Sequence, residues 1–160
     1  MSMTREHEDY LADQSRRYLE HVRRLVARKD VWALTIEQDE ALLDGLKGID
    51  YTREKVDGGG YVDRVADILD RLEANRAQHR ANMAELVDVV EDAQRRIGLL
   101  SPAHARLLML RYVSDMPWRD VAERMLYSED YCRKELQTAA LVEMHAHLPN
   151  DWRDPEPRAV

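Results

Sequence analysis

An unbroken heptad repeat over residues 62–97 constrains the fold of this chain more than any other feature. Its members recur in alternating steps of three and four residues: Val62, Val65, Leu69, Leu72, Arg76, His79, Met83, Leu86, Val90, Ala93 and Ile97. This repeat predicts one helix, about 55 Å long, with an apolar seam for a partner helix. Only Arg76 and His79 interrupt the seam, and we interpret them as a wetter layer in its middle.

A weaker seam precedes the repeat and predicts two N-terminal helices. The first is expected from about Glu8 to Lys29, because apolar and small residues recur there at heptad spacing: Leu11, Ser15, Tyr18, Val22 and Leu25. Asp30 is expected to cap the second helix, which covers roughly Val31–Leu46. Gly48 and the run Gly58–Gly60 then predict a flexible hinge, because no phosphate-loop motif accompanies these glycines.

Three short helices are predicted after Gly98. Ser101 followed by Pro102 favours a helix start, and Ser128 is placed to cap the last helix. The middle helix carries Trp118, Val121, Ala122 and Met125 on one face, and the last helix has a buried stripe of Cys132, Leu136, Ala140 and Met144. Because a turn of three residues (126–128) joins the last two helices, the pattern predicts a helix-turn-helix.

The outer face of the last helix is the candidate DNA-contacting surface. In a helix-turn-helix, that helix enters the major groove, where Arg and Lys read guanine, Gln reads adenine and Glu accepts a hydrogen bond from cytosine. The residues expected to contact double-stranded DNA are Arg119 of the middle helix and Glu129, Arg133, Lys134 and Gln137 of the last helix.

Short motifs in this region resemble a family of phage-encoded transcription regulators, the RinA and ArpU type. The motifs are Leu107-Leu108-Met109-Leu110-Arg111-Tyr112, Trp118-Arg119-Asp120-Val121-Ala122, Tyr127-Ser128 and Ala140-Leu141. The resemblance covers about residues 48–145, and the region-4 domain of bacterial sigma factors has the same skeleton. It implies a sigma-region-4-like fold and a role in switching phage genes. The chain departs from the family pattern at Pro117, at Glu135 and in the acidic pair Glu129 and Asp130.

Charge argues against a general polyanion binder, because the net charge is −7, from 24 basic and 31 acidic residues. Basic residues cluster in the first helix: Arg16, Arg17, Arg23, Arg24, Arg28 and Lys29. Acidic residues flank the long seam: Asp63, Asp67, Asp70, Asp88, Glu91 and Asp92. We interpret the two sets as complementary flanks of antiparallel helices rather than as a nucleic-acid-binding arm.

Other sequence features indicate a cytoplasmic protein that is not an enzyme. The N-terminus lacks the apolar region of a signal peptide, and no stretch is long and apolar enough to span a membrane. Cys132 is the one cysteine and lies on the predicted buried stripe. His145 and His147 would face different sides of a helix, so no metal site and no cofactor are expected.

Together these features predict an all-α fold: a long antiparallel coiled-coil hairpin followed by a C-terminal three-helix helix-turn-helix domain. The predicted parts are N-terminal helices (1–47), a glycine-rich hinge (48–60), a long coiled-coil helix (61–98), the helix-turn-helix domain (101–147) and a flexible tail (148–160). The expected function is sequence-specific DNA binding in phage or prophage gene regulation, with homo-oligomerisation through the coiled coil. The alternatives are a small-terminase-like DNA-packaging adaptor and an interaction protein that docks on RNA polymerase.

Overall fold

A computed structural model describes residues 4–47 and 58–154, and every regular element in those two ranges is helical. The α-helices are α1 (Arg5–Lys47), α2 (Gly58–Ile97), α3 (Pro102–Leu108), α4 (Trp118–Met125) and α5 (Gln137–His145). Two π-helical turns occur at Met109–Val113 and Tyr131–Leu136, and a 3-10 turn at Asn150–Trp152. The prediction of an all-helical chain is therefore confirmed for the described residues. Residues 48–57 of the predicted hinge and 155–160 of the predicted tail lie outside them.

Helix α1 is continuous across the position where the sequence predicted a break. It runs from Arg5 to Lys47, so the prediction that Asp30 caps a separate second helix is wrong. No Gly or Pro occurs between residues 5 and 44. Extending an existing helix adds one hydrogen bond for each residue fixed, whereas a new helix must nucleate again. A capping residue without a breaker beside it is therefore insufficient to end the helix.

The run Gly58–Gly60 forms the first turn of α2 rather than part of a hinge. A glycine in a helix costs about 1 kcal/mol relative to alanine, a cost that propagation from a long helix can offset. A Cβ at Gly60 would meet no atom within 4 Å, so close packing does not require a glycine there. The predicted hinge is thus shorter at this end than the sequence indicated.

Two compact units divide the chain, at positions that differ from the predicted domain boundaries. Among the described residues, the first unit comprises 4–27 and 86–154, and the second comprises 28–47 and 58–85. The N-terminal part of α1 belongs with the C-terminal helices because they share one apolar core. The side chains buried in that core include Leu19 and Val22 of α1, Ala93 and Ile97 of α2, and Leu107, Val121 and Leu141 of the later helices.

The second unit has a small core in which α1 and α2 run in opposite directions. Leu43 packs with Ile68 and Leu72. Asp39, which lies earlier in α1, contacts Asn75, which lies later in α2, so the two helices are antiparallel here. Asp39 is only 8% exposed. It accepts a hydrogen bond from Asn75 Nδ2 at 2.7 Å and pairs with Arg71 at 3.1 Å. A polar layer thus interrupts this seam, because a buried carboxylate needs such partners.

The exposure of individual residues shows that the seam of α2 differs from the predicted repeat. Ile68 is 7% exposed, whereas its neighbour Leu69, a predicted seam residue, is 44% exposed. Predicted seam residues Val62 and Arg76 are also exposed, and Arg76 pairs with Glu40. An ideal helix drifts about 20° per heptad relative to a strict repeat of seven. The repeat was therefore right for Leu72 and Leu86, which are buried, and for Val65, which packs against the small core, but at Leu69 the core position lies one residue earlier.

The segment after α5 packs against α1, so the prediction of a loose tail is wrong for residues 148–154. Leu148 is buried, and the ring of Trp152 lies 5.8 Å from that of Tyr18 and 5.1 Å from that of His21. The backbone N–H of Asp154 donates to Gln14 Oε1 at 3.3 Å. The prediction followed from the three prolines of residues 148–160, whereas the packing of residues 148–154 depends on the apolar area of Leu148 and Trp152.

The phase of the seam can be tested with a matched pair of neighbouring substitutions. Ile68→Asp should destabilise the second unit by several kcal/mol, because it buries an unpaired carboxylate. Leu69→Asp should have little effect on thermal unfolding followed by circular dichroism, because this side chain is already half exposed. Equal melting temperatures for the two variants, or a larger loss for Leu69→Asp, would contradict the phase described here.

Candidate nucleic-acid interface

The candidate surface lies on a helix that follows α4 after a three-residue turn. Residues 129–145 are helical throughout, and we call them the 129–145 helix. Ser128 Oγ accepts a hydrogen bond from the N–H of Tyr131 at 3.2 Å, which confirms Ser128 as its cap. Cys132, Leu136, Ala140 and Met144 are buried, as predicted, and burial raises the pKa of the Cys132 thiol. The opposite face carries the exposed charged residues, and part of it, at Lys134 and Thr138, lines a groove together with Glu8 and Asp9 of α1.

The turn before this helix exposes apolar side chains. Leu126 has a left-handed backbone (φ 63°) and is 89% exposed. A left-handed conformation costs a residue other than glycine about 1–2 kcal/mol. Here the N–H groups of Leu126 and Tyr127 both bond to the carbonyl of Ala122 and end α4. Tyr127 and Tyr131 are also exposed, with ring centroids 5.1 Å apart.

Arg133 and Lys134 both project into solvent from the 129–145 helix. Their side chains are 48% and 65% exposed. Asp130 lies one turn earlier, 3.2 Å from Arg133 and 3.9 Å from Lys134. Such exposed pairs contribute little to stability, so both cations can exchange Asp130 for another anion. The sequence analysis noted Asp130 as a departure from the family pattern but did not predict its contact with both cations.

Of the remaining predicted contacts, Glu129 and Arg119 are both exposed. Arg119 belongs to α4, its side chain is 83% exposed, and its Nε lies 3.5 Å from Asp120 Oδ1. Within the 129–145 helix, the exposed charged residues are Glu129, Asp130, Arg133, Lys134 and Glu135. Three acidic and two basic groups are therefore exposed on this helix.

Gln137 is buried, so the prediction that it lies on the outer face of this helix is wrong. It is only 6% exposed, and its Nε2 donates to the Tyr112 hydroxyl at 2.6 Å. The cause is the π-helical turn Tyr131–Leu136, in which the N–H of Gln137 bonds to the carbonyl of Cys132, five residues earlier. The wider turn brings Gln137 round to the face of Cys132, whereas an α-helix would have turned it outward.

The partner of Gln137 lies in the other π-helical turn, Met109–Val113. Tyr112 is 1% exposed, and burial raises the pKa of its hydroxyl, an effect that the Gln137 hydrogen bond partly offsets. Two wide turns thus bring one donor and one acceptor together inside the core. Because a buried polar group without a partner is costly, this bond fixes the 129–145 helix against the π-helical turn that follows α3.

Arg111 and Trp118, the neighbouring motif residues, brace the loop between α3 and α4. The Arg111 guanidinium lies 4.8 Å from the centre of the Trp118 ring, and its Nη1 donates to the Met116 carbonyl at 2.9 Å. Burial lowers the pKa of Arg111, as does the nearby charge of Arg23. Asp115, in the same loop, pairs with Arg23 of α1 at 2.5 Å. These motif residues therefore have structural roles beside the candidate surface.

A polar cluster joins the start of α3 to α5. The sequence correctly predicted that α3 begins after Ser101, but the Ser101 hydroxyl makes no capping bond to its own helix. Instead, the backbone N–H of Ser101 donates to Glu143 Oε1 at 2.7 Å, its hydroxyl donates to the same carboxylate, and His104 Nδ1 contacts Glu143 Oε2. Burial alone would raise the pKa of Glu143, but these hydrogen bonds lower it.

Residues 4–47 and 58–154 were also searched for a metal site and for a helix that could span a membrane. No group of three or more His, Cys, Asp or Glu residues in those ranges is close enough to hold a metal ion. No helix described there has the length and hydropathy needed to cross a membrane.

The Tyr112–Gln137 bond can be tested with a double-mutant cycle. Gln137→Ala should destabilise the protein by about 1–3 kcal/mol, because it leaves the Tyr112 hydroxyl buried without this donor. Adding Tyr112→Phe should cost less in this background than in the wild type, and urea unfolding measures the difference. Lys134→Ala, on the exposed face, is the control. Additive effects of Gln137→Ala and Tyr112→Phe would show that the two groups do not interact.

Comparison with known proteins returns no match to a family model, a curated protein or a solved structure. The function is therefore inferred from the residues and geometry described above.

Proposed function

We propose that this protein is a sequence-specific DNA-binding transcriptional regulator of phage or prophage genes. The observation that carries the proposal is the pair Arg133 and Lys134, which project together from the first turns of the 129–145 helix. The buried stripe fixes the opposite face of that helix in the core. A helix held in this way can enter the major groove, where Arg and Lys recognise guanine.

The proposal includes two assignments of architecture. Residues 101–147 act as a sigma-region-4-like helix-turn-helix, with α4 and the 129–145 helix joined by the turn 126–128. The second unit acts as an antiparallel coiled-coil hairpin, supported by the contacts of Leu43 with Ile68 and Leu72 and by the pair Asp39–Asn75. A cytoplasmic location follows from the proposed function, since phage genes are transcribed there.

We also propose that the second unit forms homo-oligomers. Its core contains only three buried apolar side chains among the described residues. Outside that core, Val31, Leu34 and Leu42 of α1 are 49–64% exposed. Their spacing of three and eight residues places them on one side of the helix. A second copy of the chain would bury this side and supply the apolar area that the small core lacks.

One observation favours a second candidate, docking on RNA polymerase through the same helix. Asp130 partly neutralises Arg133 and Lys134, and exposed Leu126 and Tyr127 lie beside the acidic pair Glu129 and Asp130. An acidic surface with apolar side chains fits a basic protein partner better than it fits DNA phosphates. Asp130 should therefore weaken binding to DNA but strengthen binding to a basic protein.

Charge changes at Asp130 and Arg133 distinguish the candidates. After selection of duplexes from a random pool, Arg133→Ala should weaken binding to the selected duplex by about 1–3 kcal/mol and relax preference at one base position. Asp130→Asn should strengthen binding to every duplex at low salt, because it releases two cations from their pair. Asp70→Asn, an equal charge change on an exposed part of α2, is the control and should have little effect.

A different set of results would favour docking on RNA polymerase. If the wild type selects no sequence at low salt but retains purified RNA polymerase, and Asp130→Asn weakens that interaction, the helix is a protein-docking surface. Binding of all duplexes with equal affinity would also contradict sequence-specific regulation.

The oligomer proposal can be tested by light scattering. Leu34→Lys should lower the number of protomers while leaving the helical content unchanged, because the side chain is 53% exposed within one chain. Ala33→Lys adds the same charge at the adjacent exposed position, about 100° round the helix, and should leave the mass unchanged. A monomeric wild type, or the same mass for both variants, would contradict the proposed interface.

A further inference from the structure

Three of the six residues that line a groove on the first unit are arginines of α1. The groove measures about 390 Å³, and its lining residues are Asp13, Arg16, Arg17, Glu20, Arg24 and Trp152. Trp152 forms one wall, held there by its ring contacts with Tyr18 and His21. The groove therefore combines cations with a half-buried indole, on a helix whose other side is fixed in the core.

The ion pairs of α1 differ from those that the sequence suggested. The expectation was that the arginines of the first helix pair with acidic flanks of the long helix. Among the described residues no such pair occurs: Arg17 pairs with Asp13 at 2.8 Å, and Arg23 with Glu20 at 3.7 Å and Asp115 at 2.5 Å. On α2, Asp92 pairs with Arg95 and Arg96 of its own helix. The prediction of complementary flanks is wrong for these arginines.

Two arginines in the groove consequently have no anionic partner within the described chain. Each carboxylate of the groove contacts an arginine, Asp13 with Arg17 and Glu20 with Arg23. Arg16 and Arg24 are exposed and form no ion pair with a described residue. They lie eight residues apart, about 12 Å along one helix. In a protein of net charge −7, such a local excess of positive charge is the feature to which an anion would be attracted.

We propose that Arg16 and Arg24 bind the phosphate backbone of double-stranded DNA. The inference rests on the proposed function and deepens it. Duplex DNA carries one negative charge per about 1.7 Å of its axis, so several phosphates fall within the span of these two guanidinium groups. Arginine suits phosphate because its planar donors form paired hydrogen bonds with two oxygens.

This surface supplies what the 129–145 helix lacks. Acidic groups outnumber basic ones among the exposed residues of that helix, and its two exposed cations, Arg133 and Lys134, both pair with Asp130. Phosphate contacts provide most of the nonspecific affinity of a DNA-binding protein, while base contacts provide specificity. Arg16 and Arg24 therefore contribute affinity for any sequence, and Arg133 contributes preference for one.

The test uses the full chain carrying Arg16→Ala and Arg24→Ala together. Binding is measured to a selected duplex and to a scrambled duplex over a range of salt concentrations. We expect a loss of about ten- to a hundredfold for both duplexes, and a fall of about two in the slope of log affinity against log salt. The double variant Arg16→Lys and Arg24→Lys should keep most of the slope, because lysine retains the charge.

A matched control removes the same number of charges elsewhere. Arg64 and Arg80 of α2 are exposed and form no ion pair with a described residue, so Arg64→Ala with Arg80→Ala lowers the net charge equally. An identical slope in the control and the Arg16/Arg24 variant would overturn the inference, as would a loss confined to the selected duplex. Circular dichroism of both variants should match the wild type.

The outcomes separate this inference from the proposed function. If the wild type prefers one sequence and the Arg16/Arg24 variant binds as the control does, the phosphate surface is wrong and the regulator proposal stands. If the wild type binds all duplexes alike and the variant loses that binding, the phosphate surface stands and sequence-specific regulation is wrong.

Discussion

A single buried hydrogen bond, from Gln137 Nε2 to the Tyr112 hydroxyl at 2.6 Å, positions the candidate interface. Both groups lie in the core of the first unit, where neither can exchange its partner for water. Each partner depends on a π-helical turn, Met109–Val113 for Tyr112 and Tyr131–Leu136 for Gln137. The buried apolar stripe and this polar contact lie on the same side of the helix, opposite the exposed Arg133 and Lys134.

Sequence patterns predicted the features that depend on local chemistry. A proline after Ser101 marks the start of α3, Ser128 caps the 129–145 helix, and the four-residue spacing from Cys132 to Met144 identifies a buried face. Each depends on side chains within one or two turns, so the α-helical period is sufficient. The burial of Gln137 was missed because the prediction assumed that period through a segment with wider turns.

The other discrepancies arise from contacts between residues distant in sequence. Leu148 and Trp152 pack into the core, although the composition of the tail gives no sign of this packing. Arg23 pairs with Asp115 rather than with an acidic residue of the long helix. Ile68 rather than Leu69 faces the core because Leu43 determines which side of α2 is covered. A repeat read from one helix specifies its apolar side only to within about one residue, and the partner helix decides the phase.

The π-helical turn at Tyr131–Leu136 also makes the two halves of the 129–145 helix differ in rotational register. Deleting one residue within that turn would restore α-helical spacing and rotate every later residue by about 100° relative to the first half. Ala140, Leu141 and Met144, all fully buried, would then leave the core together. Single-residue deletions here should therefore be selected against in evolution far more strongly than substitutions on the exposed face.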